Sequence, residues 1–308
     1  MGRLPDNILI FGCGYVGSKL AQRCLALGMR VIGVTRSSER RAALKDLGIE
    51  AVVADSPANL PADLLAEVEA VVDSIPLARD GARMHAPQLD WLPELAPKLS
   101  SVIWSGYLSS TGVYGDADGA WVDETWPCKA GSARGAGRLQ AEQAWLQSGL
   151  PAEVFRLAGI YGPERNILAR LKAGGYQAVA WQPPHYSSRI HVDDIVAALL
   201  AAMRQPKAGR IVNLADDLPM PHAEYVLEVA RLIGAPVPEI LSEQEGEQRL
   251  SPAVLSFFRD NKRVSNRLLH RQLLPELRYP DFRTWLASSP IRQAGTPQNN
   301  NPRHLFHE

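Results

Sequence analysis

The segment Ile8-Leu9-Ile10-Phe11-Gly12-Cys13-Gly14-Tyr15-Val16-Gly17 joins a short apolar run to the pattern G-x-G-x-x-G. Val16, Leu20, Cys24 and Leu27 then recur at helical spacing, with Gly28 placed to end the helix. An apolar run of this length reads as a buried strand, and the stripe reads as a helix that packs on it. In such a strand-turn-helix unit each glycine has a task. Gly12 permits the tight turn, Gly14 lets the backbone approach a pyrophosphate, and Gly17 lets the helix lie close to the strand. The helix start offers unpaired N–H groups to the anion, so Tyr15 and Val16 belong to the same cradle. A bound dinucleotide is therefore expected at Gly12, Gly14, Tyr15, Val16 and Gly17.

Outward from this unit, β-rich runs at 31–35, 51–54 and 71–74 alternate with helical patterns at 39–47 and 62–68. That alternation predicts parallel strands joined by crossover helices. Further strands are expected at 102–105 and 153–157, with a helix over 138–146 between them. Residues 190–192 and 210–214 are expected to extend the same sheet around a helix that begins near Asp193, whose carboxylate would cap it. After Asp216, Pro219, Pro221, Pro236, Pro238 and Pro252 punctuate shorter helices. The fold class is thus α/β, a doubly wound parallel sheet of the Rossmann kind with a smaller C-terminal substrate lobe. The sheet domain takes 1–160 plus 189–216 and the lobe 161–188 plus 217–290, while the polar, unpatterned 291–308 reads as a disordered tail.

The second strand ends Val34-Thr35-Arg36-Ser37-Ser38, without the acid that usually accepts the ribose hydroxyls of NAD. Arg36 offers a planar cation to a 2′-phosphate, Ser37 adds a donor and Arg40 follows one helical turn on, so NADP is expected over NAD. Asp55, past the third strand, could accept from an adenine amino group or serve the turn before Pro57. Ser74-Ile75-Pro76 closes the fourth strand at the carboxyl edge, where ligands of such sheets bind, and is expected to touch the cofactor through its backbone.

Composition narrows the partners. The 308 residues are 46% hydrophobic and 21% charged, ordinary for a folded globular chain, and 33 Lys plus Arg balance 33 Asp plus Glu. Without a net positive field a nucleic-acid partner is not expected. No stretch approaches the length of a membrane span, so no membrane partner is expected either. Three cysteines, Cys13, Cys24 and Cys128, are too scattered for a disulfide framework, and neither they nor the 7 histidines fall at metal-ligand spacing. A reducing, cytoplasmic setting without a metal is the reading.

Beyond the glycine motif stand Ser109-Ser110-Thr111-Gly112-Val113-Tyr114-Gly115, Arg156-Leu-Ala-Gly-Ile-Tyr-Gly-Pro163, Arg189-Ile-His-Val-Asp-Asp194 and Asn261-Lys-Arg-Val-Ser-Asn266. With these motifs in this order, the chain resembles the extended short-chain dehydrogenase/reductases, the NAD-dependent epimerase/dehydratase group, over roughly 7–290. The resemblance implies a Ser that hydrogen-bonds the reacting carbonyl, which Ser110 matches. It also implies a Tyr that moves the proton and a Lys four residues on. Counted back from Glu142, these positions hold Arg134 and Arg138. Arg138 can hold a ribose as a fixed cation, but a guanidinium does not give up its proton, so Arg134 cannot act as general acid or base. The departure resembles the atypical branch of the group, which lacks the Tyr-Lys pair.

Gly112-Val113 after Thr111 departs from the Asp-Glu pair of sugar-nucleotide dehydratases, which argues against dehydration. Water or His85, in the region after the fourth strand, would replace the missing proton donor. Cys128 and the paired acids Asp116/Asp118 and Asp123/Glu124 are assigned no catalysis. Arg134 and Arg138 share a helix face if the helix reaches them, an anion-facing patch. The expected function is an NADP-preferring oxidoreductase or epimerase-like protein with Ser110, Arg138 and His85 as catalytic candidates. Its substrate would be a small molecule, anionic or like a nucleotide sugar, and a homodimer is compatible with the resemblance. The alternative is a non-catalytic NADP-binding sensor.

Overall fold

In the computed structural model, which describes residues 2–80 and 83–289, strand β1 is Asn7–Phe11 and helix α1 is Tyr15–Ala26. β2 (Arg30–Thr35), α2 (Ser38–Asp46), β3 (Glu50–Val53) and β4 (Ala70–Asp73) follow in the expected alternation. The central sheet has 7 strands, all pairings parallel, in the order Ile211–Leu214, Ala152–Leu157, Trp104–Ser110, β4, β1, β2, β3. The order reverses between β1 and β4, which opens a crevice at the carboxyl ends of those two strands.

From Ile8 to Phe11 β1 is apolar because both of its faces are covered. Ile8 and Ile10 join a core with α1 and the helix Val192–Arg204, while Leu9 and Phe11 join a second core with Leu65, Trp91 and Trp145. All four are fully buried, and each burial stabilises by roughly 1.5–3 kcal/mol. A third cluster, Tyr161, Leu168, Tyr225, Val226, Phe282 and Trp285 among others, sits apart from the sheet.

Four expectations need correction. The strand expected at 102–105 is Trp104–Ser110. Ile103 is 52% exposed, whereas the polar Ser105, Tyr107 and Ser109 are buried; Ser109 and Tyr107 find partners in Glu142 and Arg138, which hid the strand from a hydropathy reading. The helix expected over 138–146 starts earlier, at Ala133, capped by Ser132 Oγ on the N–H of Gly135 at 3.1 Å. Its glycines are there for space: a Cβ on Gly135 would meet the Gly112 carbonyl oxygen at 2.5 Å.

Residues 190–192 do not extend the central sheet, since Arg189–His191 pairs in parallel with Gly159–Tyr161 as a separate ribbon. The helix after it is capped by His191, whose Nδ1 accepts from the N–H of Asp193 at 3.1 Å, not by the Asp193 carboxylate. Short strands also occur after Asp216, at Met220–Pro221, Glu239–Leu241 and Arg263–Val264. The tail 291–308 lies outside the described residues.

Candidate functional site

Register places the crevice. Phe11 pairs with Asp73 and Asp73 with Tyr107, so three chains leave the sheet side by side. Gly12 turns with φ 75°, in the left-handed region that favours glycine. The N–H of Gly14 donates to the Gly12 carbonyl at 2.7 Å, and the Ser74 hydroxyl donates to the same oxygen. A Cβ on Gly17 would stand 2.8 Å from that carbonyl, so helix and turn could not approach as they do.

Gly14 is different. A Cβ there would meet no atom of the protein nearer than 3.9 Å, and the residue lines a cavity. Packing within the chain does not demand glycine at this point, and the backbone lies open to the cavity. The start of α1 carries no side-chain cap, which leaves its N–H groups for an anion. The turn thus fits the diphosphate of a dinucleotide.

The cavity measures about 670 Å³. Of the residues expected at the site, Gly14, Tyr15, Val16, Ser74, Pro76, Ser110 and Arg138 line it, and Arg134 lines it too. Ser110 ends its strand and caps the short turn Thr111–Tyr114, its Oγ accepting from the N–H of Gly112 at 3.2 Å. Arg138 lies across the strand ends. Its Nη1 donates to Tyr107 Oη at 2.9 Å, to the Leu108 carbonyl at 3.2 Å and to the Ile75 carbonyl at 3.4 Å. Among the described residues its Nη2 and Nε make no hydrogen bond, so the three N–H groups on those two nitrogens remain for a ligand. Burial, which outweighs Arg138 beside it, pushes the Tyr107 phenol well above its usual range.

The other expected residues stand around rather than in this space. Gly12, Gly17 and Ile75 support the turn from behind; the N–H of Ile75 is held by Asp73 Oδ1 at 2.8 Å. Arg36 is exposed at the end of β2, and Ser37 caps α2 by accepting from the N–H of Arg40 at 3.2 Å. Arg40 reaches further inward than Arg36, donating to the Cys13 carbonyl at 2.7 Å and Ser18 Oγ at 3.2 Å. Asp55 is exposed in the bend after β3. His85 lies on a short strand, paired with Asp90 at 2.5 Å, and does not line the cavity.

Behind the strand ends Asp73 is fully buried and accepts from Ile75, Gln88 Nε2 at 2.9 Å and Trp145 Nε1 at 2.8 Å. Burial pushes its carboxyl up to about 6, against the pull of those three donors and of Arg138. Glu142, also buried, accepts from Ser109 Oγ at 2.5 Å and pairs with Arg156 at 2.8 Å.

The opposite wall was not foreseen. It carries His185, Tyr186, Ser187 and Ser188, then Phe257, Asp260 and Lys262. Lys262 is the second residue of the Asn261–Asn266 motif, and a lysine ahead of a buried Val264 was the one available hint. Burial holds its ammonium below the usual lysine range, opposed by Asp260 and Asp116. His185 belongs to no motif. Burial also lowers its pKa, opposed first by the nearby Asp260 backbone. Tyr15, at the start of α1, has a buried hydroxyl beside Glu164, and burial followed by Glu164 pushes its phenol up to about 12. Among the described residues no group of three or more His, Cys, Asp or Glu could hold a metal, and no helix is long and apolar enough to cross a membrane.

The model of the NAD dependent epimerase/dehydratase family matches residues 8–215. Protein YeeZ of Escherichia coli strain K12 is 29% identical over 245 residues, covering 76% of this chain and 86% of that protein. A 3-diazoavenalumate denitrifying reductase of a Streptomyces species is 27% identical over 277 residues, covering 82% of this chain and 88% of its own. A solved structure of a functionally unknown conserved protein from Silicibacter pomeroyi is 35% identical with a TM-score of 0.83, covering 94% of this chain and 98% of that one.

Proposed function

The chain belongs to the NAD dependent epimerase/dehydratase family, and from that premise we propose that it is an NADP-preferring oxidoreductase acting on a small molecule with a carbonyl or secondary hydroxyl. The observation that carries this reading is the placement of Gly14, Ser110 and Arg138 on one cavity at the switch point of the sheet. A nicotinamide cofactor would supply or accept the hydride. The reductase among the relatives supports the same class of chemistry.

Each residue then has a task. The uncapped start of α1, with Gly12, Gly14, Tyr15, Val16 and Gly17, holds the diphosphate. Arg36 and Arg40 receive the 2′-phosphate, and Ser37 sets the start of α2 beneath it. Ser74, Ile75 and Pro76 line the cofactor's path past β4, and the Nη2 and Nε of Arg138 hold ribose hydroxyls. Ser110 donates to the substrate oxygen and polarises it. Arg134 cannot deliver a proton there. With His85 held by Asp90 away from the cavity, the proton at that oxygen comes from water. The segments 161–188 and 217–290 form the lobe that selects the substrate.

The test is calorimetric titration of the full chain with NADPH and NADH, followed by the absorbance of reduced nicotinamide across aldehydes, ketones and nucleotide sugars. NADPH is expected to bind at least about tenfold more tightly, since charge-assisted bonds to the 2′-phosphate are worth roughly 1.5–3 kcal/mol. Arg36→Ala together with Arg40→Ala should erase that preference. Tighter NADH binding would overturn the NADP reading. Turnover lost in Ser110→Ala supports the enzyme, whereas tight binding without turnover on any candidate favours a cofactor sensor.

A further inference from the structure

Two buried side chains on the lobe side of the cavity are short of hydrogen bonds. Lys262, 8% exposed, donates to the Gly115 carbonyl at 2.9 Å, while the Asp260 carboxylate stands at 4.0 Å, beyond hydrogen-bonding range. An ammonium has three donors, so two are left over. His185, also 8% exposed, makes no well-formed hydrogen bond at Nδ1 or Nε2, the Asp260 backbone being the polar group beside its ring. Its ring stands edge-on to Phe258, with centroids 5.1 Å apart, and that packing fixes it against the cavity. Buried donors without partners are costly and call for something to complete them.

The charge of the cavity says what that is. Arg134, Arg138, Arg165 and Lys262 line it, against the single carboxylate of Asp260, with Asp116 acting on Lys262 and His185 from nearby. The diphosphate reading uses the start of α1 on the opposite wall, so the lobe-side cations need a different anion. Arg134 holds its guanidinium over the Phe257 ring, 5.6 Å from the centroid, which keeps it at the rim of the same space.

We propose that Lys262 and His185, with Arg134, form the recognition site for one oxoanion of the substrate, a carboxylate or a phosphate, carried on the molecule whose carbonyl meets Ser110. This rests on the oxidoreductase reading above and names its substrate class: an aldehyde or ketone bearing an acid group. The imidazole completes one oxygen, the ammonium a second, and the guanidinium covers the side open to solvent.

The experiment uses the full chain saturated with NADPH and three probes: benzaldehyde, para-formylbenzoate and para-formylphenyl phosphate, each titrated by calorimetry. Either acid is expected to bind at least about tenfold more tightly than benzaldehyde, as hydrogen bonds to charged groups would give, and the stronger of the two identifies carboxylate or phosphate. Lys262→Met should remove the preference and His185→Asn should weaken it. NADPH titration of each variant reports whether its fold survives, and one folded variant suffices. Acid probes that bind no better than benzaldehyde, or not at all, overturn the proposal, as does a preference that persists in folded Lys262→Met. Failure of the parent reading is separate: it appears as absent NADPH binding by the unaltered protein, or as NADPH binding with no oxidation of the cofactor by any carbonyl compound.

Discussion

The two walls of the cavity are built on opposite plans. On the sheet side Asp73, Glu142 and Arg138 each engage at least two protein partners, so the groups that would touch the cofactor rest on a hydrogen-bonded frame. On the lobe side Lys262 has one hydrogen bond, and the His185 ring has no well-formed one beside the Asp260 backbone. The sheet wall is tied together by the protein itself, whereas on the lobe wall the Lys262 ammonium keeps donors to spare. The sharpest way to break this contrast is to cut the frame. Glu142→Ala leaves the guanidinium of Arg156, a 3% exposed residue, without its partner. A loss of about 3–5 kcal/mol is expected in urea unfolding, because an unpaired buried charge remains. A loss below about 1 kcal/mol would mean that the sheet wall is no firmer than the lobe wall.

The same contrast explains what could be read from the sequence. The glycine turn, α1 and the first four strands were legible because local spacing alone dictates them: Ile8 to Phe11 need two covered faces, and Gly17 needs contact with Gly12. Ser110 and Arg138 were legible through motif order, and they do reach one cavity. The strand Trp104–Ser110 was misplaced because Ser109 and Tyr107 are stabilised by Glu142 and Arg138, which are distant in sequence. His185 belongs to no motif, and Lys262, though inside one, carried no sign of its place on the cavity, for a related reason. They meet only through the packing of 182–188 against 256–264, where Asn261 Oδ1 accepts from the N–H of Tyr186 at 2.9 Å. No period or motif encodes that contact.

Acid should act on the two walls in opposite directions. The Asp73 carboxyl, pushed up to about 6 by burial, takes a proton in the folded state before it does in the unfolded chain. Its ionisation therefore costs stability as pH rises from about 4 to about 6, by up to about 3 kcal/mol. His222, beside Phe258 on the lobe side, is lowered to about 4 by burial and then by Arg189, His185 and Arg170. The unfolded chain takes that proton first, so stability falls as pH drops from about 6.5 toward 4. Urea unfolding across this window separates the two. Relative to the unaltered protein, Asp73→Asn should lose stability on acidification and His222→Gln should gain it. Parallel slopes for both variants would show that the walls do not titrate as opposites.

The smallest and most discriminating test lies within the glycine turn, where one motif contains both plans. Gly17 answers to the protein: a Cβ there meets the Gly12 carbonyl at 2.8 Å and Ile10 Cγ2 at 3.3 Å. Gly17→Ala must push α1 away from β1, at roughly 1–3 kcal/mol in unfolding experiments. Gly14 is the one assigned to the ligand in the proposed function, since a Cβ there has no neighbour nearer than 3.9 Å. Gly14→Ala should therefore cost the cofactor-free chain no more than about 1 kcal/mol, the effect of a poorer N-cap on α1, while NADPH affinity falls by about tenfold or more as the methyl occupies the diphosphate's path. If Gly14→Ala instead destabilises the free chain by more than this while binding NADPH as before, the openness at that residue is not a cradle. The division between a finished wall and a waiting one would then have to be redrawn inside the motif itself.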